Sequence, residues 1–150
     1  MPHSFAKLHI HLVFSTKQRD PVLHDTIRDP LHRYLVVAIQ SSRCIPVLVN
    51  SVEDHVHILF ELGRTVTIST VVENIKTTTS KWLKTQGEEF AGFRWQVGYG
   101  AFSVSASQLG ECKEYIANKK EHHTKQSFDA EYRETLEKHG IDFDEKYLWD

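Results

Sequence analysis

Three sets of residues in this 150-residue chain have side-chain types and spacings suited to chemistry. The sharpest is His55-Val56-His57. On a strand, residues i and i+2 point to the same side, roughly 7 Å apart at Cα, so two imidazoles there can grip one divalent ion. A working metal centre also needs a third ligand and open positions for substrate. The plainer alternative is two histidines on a solvated strand face. His9 and His11 repeat the spacing, with nothing nearby in sequence that looks like a further ligand. The third set is Tyr115, with Lys119 and His122 at i+4 and i+7 on one helical face. Tyr115 is either a packing residue beside Leu109, Cys112 and Ile116 or a covalent nucleophile. A phenol with a pKa near 10 attacks only with a base or a metal-polarised electrophile.

Two weaker patterns bear on a polyanionic partner. Lys17, Arg19, Lys76 and Lys81, with Lys84, could meet phosphates, although scattered cations are usually a solvated face. Trp95, Tyr99 and Phe102 could stack on bases, although such rings more often fill a core.

The elements that must position these residues follow from periodicity. Leu8, Ile10, Leu12 and Phe14 alternate with His9, His11 and Val13, a strand with one apolar face. Asp29-Pro30 reads as N-cap and first helical residue, with a start near Asp20-Pro21 and a kink at Pro30 as the alternative. Residues 45–49 and 55–61 form a strand pair around a turn at 51–54. Thr67 or Ser69 caps a second helix with Ile68, Val71, Val72, Ile75, Trp82 and Leu83 as its stripe. Residues 93–104 read as a strand bent at Gly98 and Gly100. Ser107 caps a third helix running to about His123, and a fourth runs from Ser127 to Gly140. The order β-α-β-β-α-β, then two helices, is the split-βαβ, ferredoxin-like arrangement, an α+β fold with helices on one face of an antiparallel sheet. It sets the first and third strands side by side, which puts His9 and His11 next to His55 and His57.

Composition bounds the rest. Hydrophobic residues at 40% and charged residues at 25% fit a globular chain of one domain. We divide it into a core over 1–105, a tyrosine helix over 106–126 and an acidic helix and tail over 127–150. Two cysteines, Cys44 and Cys112, make no disulfide framework, so a reducing cytoplasm is the expectation. Neither a secretory signal nor a membrane span is evident. The net charge of −2 argues against a nucleic-acid partner until it is divided. Residues 127–150 carry a net −5 and residues 1–126 a net +3.

Taken together, these motifs resemble one family. The stretches are His11-Leu12-Val13-Phe14-Ser15-Thr16-Lys17-Gln18-Arg19, Asp54-His55-Val56-His57-Ile58-Leu59, Trp95 to Val104, Tyr115-Ile116-Ala117-Asn118 with Glu121-His122-His123, and the tail from His139 to Trp149. Their order and spacing are similar to the single-tyrosine HUH transposases of bacterial insertion sequences, including their repeat-associated domesticated relatives. The resemblance implies a homodimer acting on single-stranded DNA beside an imperfect hairpin. It implies that Tyr115 forms a 5′-phosphotyrosine and releases a 3′-hydroxyl. It also implies that His55 and His57 bind Mg²⁺ or Mn²⁺, and that the tyrosine helix can serve the partner's histidine pair. No membrane or nucleotide cofactor is implied, and the location would be the bacterial cytoplasm, at the nucleoid when DNA is bound.

One position departs from the pattern. The family commonly has glutamine, a third metal ligand, where this chain has Lys119. A protonated lysine has no lone pair to donate. Asn118, Glu121 or His122 could substitute, Lys119 could itself contact the phosphate, or the chain could be a catalytically weak or silent hairpin-binding protein. An RNA binder using Trp95, Tyr99 and Phe102 is a more distant alternative.

Overall fold

The computed structural model describes residues 4–118 and 127–150. Strands β1 (His9–Ser15), β2 (Ile45–Ser51), β3 (His55–Glu61) and β4 (Gly100–Val104) form one antiparallel sheet in the order β2-β3-β1-β4. Helices α1 (Asp25–Ser41) and α2 (Ile68–Leu83) cross between its halves, and α3 (Leu109–Ala117) and α4 (Phe128–Lys138) follow the last strand. This is the expected split-βαβ sheet, with β1 and β3 adjacent.

Period-two alternation divides the strands between two cores. Ile10, Leu12 and Phe14 of β1 and Val56, Ile58 and Phe60 of β3 point to the face covered by α1 and α2. There they meet Leu31, Leu35 and Ile39 of α1 and Val72, Ile75 and Leu83 of α2, all buried. On the opposite face Val13 and Phe102 join Phe128, Tyr132 and Leu136 of α4 and Leu148 of the tail in a second, smaller cluster. Among the described residues, helices therefore lie on both faces, α1 and α2 on one and α3 and α4 on the other.

Three local expectations change. α1 begins at Asp25 after an extended His24, between the two expected starts, so Asp29 is not its cap and Pro30 sits inside the helix as the earlier start implies. Burial of Leu23 and Ile27, before Leu31, extends the helical stripe backwards past the proline. The long strand over 93–104 contracts to β4, with Trp95 making only an isolated bridge to Thr16. Between the two, the Lys76 ammonium donates to the carbonyls of Gln96, Val97 and Gly98 at 2.7, 3.2 and 2.6 Å. In α3, Ser107 lies in a 3-10 turn and Gln108 occupies the cap position. The expected run of this helix to His123 lies outside the described residues beyond Asn118.

The other caps follow the sequence. Thr67 accepts from Thr70 N–H, and Ser127 accepts from Ala130 N–H. Gly140, at φ +65°, ends α4 in a Schellman pattern, with Ile141 N–H donating to Leu136 and Gly140 N–H to Glu137. Gly100 admits α4 to the sheet, because a Cβ there would lie 2.6 Å from the Tyr132 hydroxyl.

Candidate active site on the second sheet face

β1 and β3 pair in register, with Val13 opposite His57 and Ser15 opposite His55. Odd-numbered residues of both strands therefore share the face away from α1 and α2. The expected meeting of two histidine pairs holds for one member of the first pair. His11 Nε2 lies 2.8 Å from His57 Nδ1, while His9 stands opposite Glu61 at the far end of the strand.

Neither member of the His55/His57 pair faces solvent; they are 0% and 1% exposed. The Phe128 ring of α4 lies flat on His55, with centroids 3.4 Å apart and planes 6° from parallel. The two imidazole centroids are 5.1 Å apart. Asp54, in the β2–β3 turn, accepts from His55 Nδ1 at 2.7 Å through Oδ1 and from Arg19 Nε at 3.2 Å through Oδ2. Burial pushes the Asp54 carboxyl upward, but the hydrogen bond and charge of His55, with those of Arg19, outweigh it and hold the group below its ordinary range. The turn that delivers Arg19 passes through left-handed backbone at Gln18 and Arg19, φ 55° and 56°. That conformation costs non-glycine residues on the order of 1 kcal/mol each. The Arg19 guanidinium also lies 4.8 Å from the Trp149 ring centroid, so the tail braces it.

Tyr115 reaches the same face from α3. Asn50 of β2 anchors that helix by donating from Nδ2 to the Ile116 carbonyl at 2.7 Å. The Tyr115 ring centroid is 5.7 Å from that of His57 and 6.1 Å from that of His11. Its hydroxyl donates to Glu131 Oε2 of α4 at 2.9 Å. Burial, then the charge and hydrogen bond of Glu131, raise the phenol pKa far above its ordinary value.

The expected phosphate contacts separate. Lys17 and Lys81, with Lys84 and Arg94, line one groove between α2 and the 93–97 segment. Lys76 borders that groove, but its ammonium is engaged by the three carbonyls, and burial lowers its pKa to about 8. Arg19 belongs to the Asp54 ion pair. The three rings considered for base stacking form no platform. Trp95 is buried in the first core and donates to Thr79 Oγ1 at 3.0 Å, Phe102 is buried in the second, and only Tyr99 is exposed. Lys119, Glu121 and His122 lie outside the described residues.

The donor chemistry fits a divalent ion on the histidine side. Asp54 is an acceptor that fixes the His55 proton on Nδ1, directing the Nε2 lone pair elsewhere, an arrangement common among metal-ligating histidines. His57 likewise has Nδ1 engaged, by His11. Among the described residues, no group of three or more His, Cys, Asp or Glu is arranged to hold a metal ion. His55 and His57 would hold it, with the remaining positions filled from elsewhere.

Asp54, Asn50, Glu131 and Phe128 were not singled out as site residues by sequence. Asp54 alone carried a local signal, standing directly before the first histidine. The other three reach the site through strand register and helix docking, which leave no local pattern.

Known proteins agree with this architecture. A candidate transposase from Deinococcus radiodurans R1 superposes with a TM-score of 0.64 at 24% identity, covering 79% of this chain and 95% of its own. A REP-associated tyrosine transposase bound to a REP hairpin superposes with a TM-score of 0.62 at 13% identity, covering 82% of this chain and 73% of its own. At these identities the likeness establishes the fold. No curated protein matches the chain. The sequence profile described as "Transposase IS200 like" matches residues 4–119, which takes in the sheet, the histidine pair and Tyr115 but stops short of α4. The chain belongs to the IS200-like transposase family.

Proposed function

We propose that this protein nicks and rejoins single-stranded DNA at hairpin-flanked ends through a 5′-phosphotyrosine on Tyr115. The observation that carries the reading is the convergence of Tyr115 from α3 with His55 and His57 from β3 on one buried face. In the proposed step the Tyr115 oxygen bonds to phosphorus and the bond from phosphorus to the 3′ oxygen breaks. The phenol proton leaves toward Glu131, its present acceptor, and the departing 3′ oxygen takes up a proton as it becomes a hydroxyl. His55 and His57 hold Mg²⁺ or Mn²⁺, which when bound offsets the phosphate's charge. Asp54 orients His55, and Asn50 holds the tyrosine helix in place. Lys17 and Lys81 meet the DNA backbone along their groove. The covalent link conserves the phosphodiester energy, so rejoining needs no nucleotide cofactor.

The test is a denaturing-gel adduct assay with labelled single-stranded hairpin DNA, with Mn²⁺ and with EDTA. A covalent band that requires metal and vanishes in Tyr115→Phe supports the reading; adduct persisting in that variant removes it. The homodimer is part of the proposal. Light scattering that shows a monomer at micromolar protein removes the dimer and leaves the site, since Tyr115 and His57 of one chain already face each other.

Two contacts favour a second reading, a hairpin-binding protein that does not cleave. Phe128 covers His55, and the Tyr115 hydroxyl is engaged in its hydrogen bond to Glu131. This reading predicts hairpin binding that weakens steeply with salt and no adduct with any divalent ion. Phe128→Ala and Lys119→Gln separate the two: adduct appearing in either variant identifies a nuclease held in check.

A further inference from the structure

We infer that His11 is a positioning residue that sets the tautomer of His57, as Asp54 does for His55. The inference deepens the proposed nicking site and rests on that reading for its consequence, though not for its test.

The geometry poses a choice. His11 Nε2 and His57 Nδ1 are 2.8 Å apart, and a neutral imidazole offers one donor and one acceptor nitrogen. If His57 donates from Nδ1, its lone pair is on Nε2 and can ligate a cation. If His11 donates instead, the His57 proton sits on Nε2 and that nitrogen cannot ligate. His55 faces no such choice, because the Asp54 carboxylate at 2.7 Å only accepts. For both histidines to present Nε2, His11 must be the acceptor and carry its own proton on Nδ1.

The surroundings suit a fixed ring. The His11 and His57 rings meet edge to edge through this hydrogen bond, with centroids 5.1 Å apart and planes 29° from parallel, and His11 lies at a steep angle to Phe102 at 6.4 Å and Tyr115 at 6.1 Å. It sits at the centre of β1, where pairing on both sides, to Leu59 and to Phe102, fixes the backbone. A ring so enclosed by strand pairing and three aromatic neighbours holds its hydrogen-bonding nitrogen on His57. The role differs from that of Asp54 in one respect: the acceptor is a neutral ring, so orientation comes without an added negative charge beside Tyr115.

The test is long-range ¹⁵N–¹H NMR of the histidine rings in the metal-free full chain at a pH of about 8, above the ordinary histidine pKa of roughly 6.5. The variants are His11→Leu, which removes the partner, and His11→Glu, which can only accept. The wild type and His11→Glu are expected to show the His57 proton on Nδ1. His11→Leu is expected to shift His57 toward the Nε2–H form that free histidine favours. In parallel, Mn²⁺ affinity read by electron paramagnetic resonance should fall about 10- to 100-fold in His11→Leu and recover in His11→Glu. A His57 proton on Nε2 in the wild type overturns the inference, even if His11→Leu does not fold. So does an unchanged tautomer in a folded His11→Leu. A wild type with the expected tautomer and no Mn²⁺ binding sinks the metal-dependent nicking reading and leaves the tautomer relation standing.

Discussion

The two faces of the sheet are built from the same strands and do different work. Even-numbered residues of β1, with Val56, Ile58 and Phe60 of β3, form an apolar layer sealed by α1 and α2. Odd-numbered residues place His11 beside His57 and bring Ser15 opposite His55, under α3 and α4. The first face is held chiefly by burial. The second adds to its smaller apolar cluster directional contacts that each fix a proton or a ring: Asp54 on His55, His11 on His57, Glu131 on Tyr115. Because side chains alternate strictly along a strand, changes on one face leave the other's inventory intact. The fold can thus keep a stable layer and a reactive layer one peptide apart.

The largest expected effect breaks chemistry without breaking the fold. Tyr115→Phe should abolish the covalent DNA adduct completely, while unfolding stability falls by about 1.5–3 kcal/mol at most, the range for a hydrogen bond to a charged group. A Tyr115→Phe protein that unfolds at much lower urea would show that the second face is structural after all. The opposite face supplies the next largest effect. Phe14 is fully buried against Trp95, ring centroids 4.8 Å apart, so Phe14→Ala should cost about 3–5 kcal/mol by chemical denaturation. If that variant folds, it should keep its tyrosine chemistry. Equal losses of stability from the two substitutions would erase the contrast between the faces.

How much of this was legible in sequence divides along the same line. The apolar face was read from alternation, because Leu12, Phe14, Ile58 and Phe60 mark their own direction. The adjacency of β1 and β3 followed from topology, which correctly brought His11 toward His57. Burial of the histidine pair was not legible. A strand reading sees polar residues and expects solvent, whereas Phe128 arrives from more than 70 residues away to cover them. Lys76 and Arg19 misled for a related reason. Both look like surface cations, and both are engaged internally, one by three carbonyls and one by Asp54. Pro30 misled through local rules that favour proline at a helix start, which tertiary burial of Ile27 overrides.

A smaller effect sharpens the contrast within the second face. Asp54→Asn keeps an oxygen for His55 Nδ1 but removes the charge that pairs with Arg19. Outer partners of metal-ligating histidines are typically worth 10- to 100-fold in affinity, and with the acceptor partly retained the lower end is expected, about 10-fold weaker Mn²⁺ binding. Titration by electron paramagnetic resonance measures it. Unchanged binding would remove Asp54 from the site and reduce the Arg19–Asp54 pair to a brace for the tail.

The smallest effect concerns protons, and it too should belong to one face only. Tyr115 is raised far above its ordinary pKa by burial and then by Glu131, and burial takes Tyr132 to about 12. An acid whose folded pKa is raised keeps its full stabilising contribution below the unfolded pKa, roughly 10 for a phenol. Above that value the unfolded chain releases a proton that the native state retains, so stability falls as pH rises toward the folded pKa. Each such tyrosine contributes a slope approaching about 1.4 kcal/mol per pH unit over that window. Urea unfolding at pH 9, 10 and 11 should therefore show a steeper alkaline decline in the wild type than in Tyr115→Phe, with Tyr132 accounting for part of what remains. Glu131→Gln should shorten the window by removing the charge that helps raise Tyr115. Phe14→Ala removes no proton, so it should lower the whole curve and leave its slope alone. Parallel curves for the wild type and Tyr115→Phe would mean that the phenol is neither buried nor held by Glu131 in solution, and that the second face is more open than its contacts indicate.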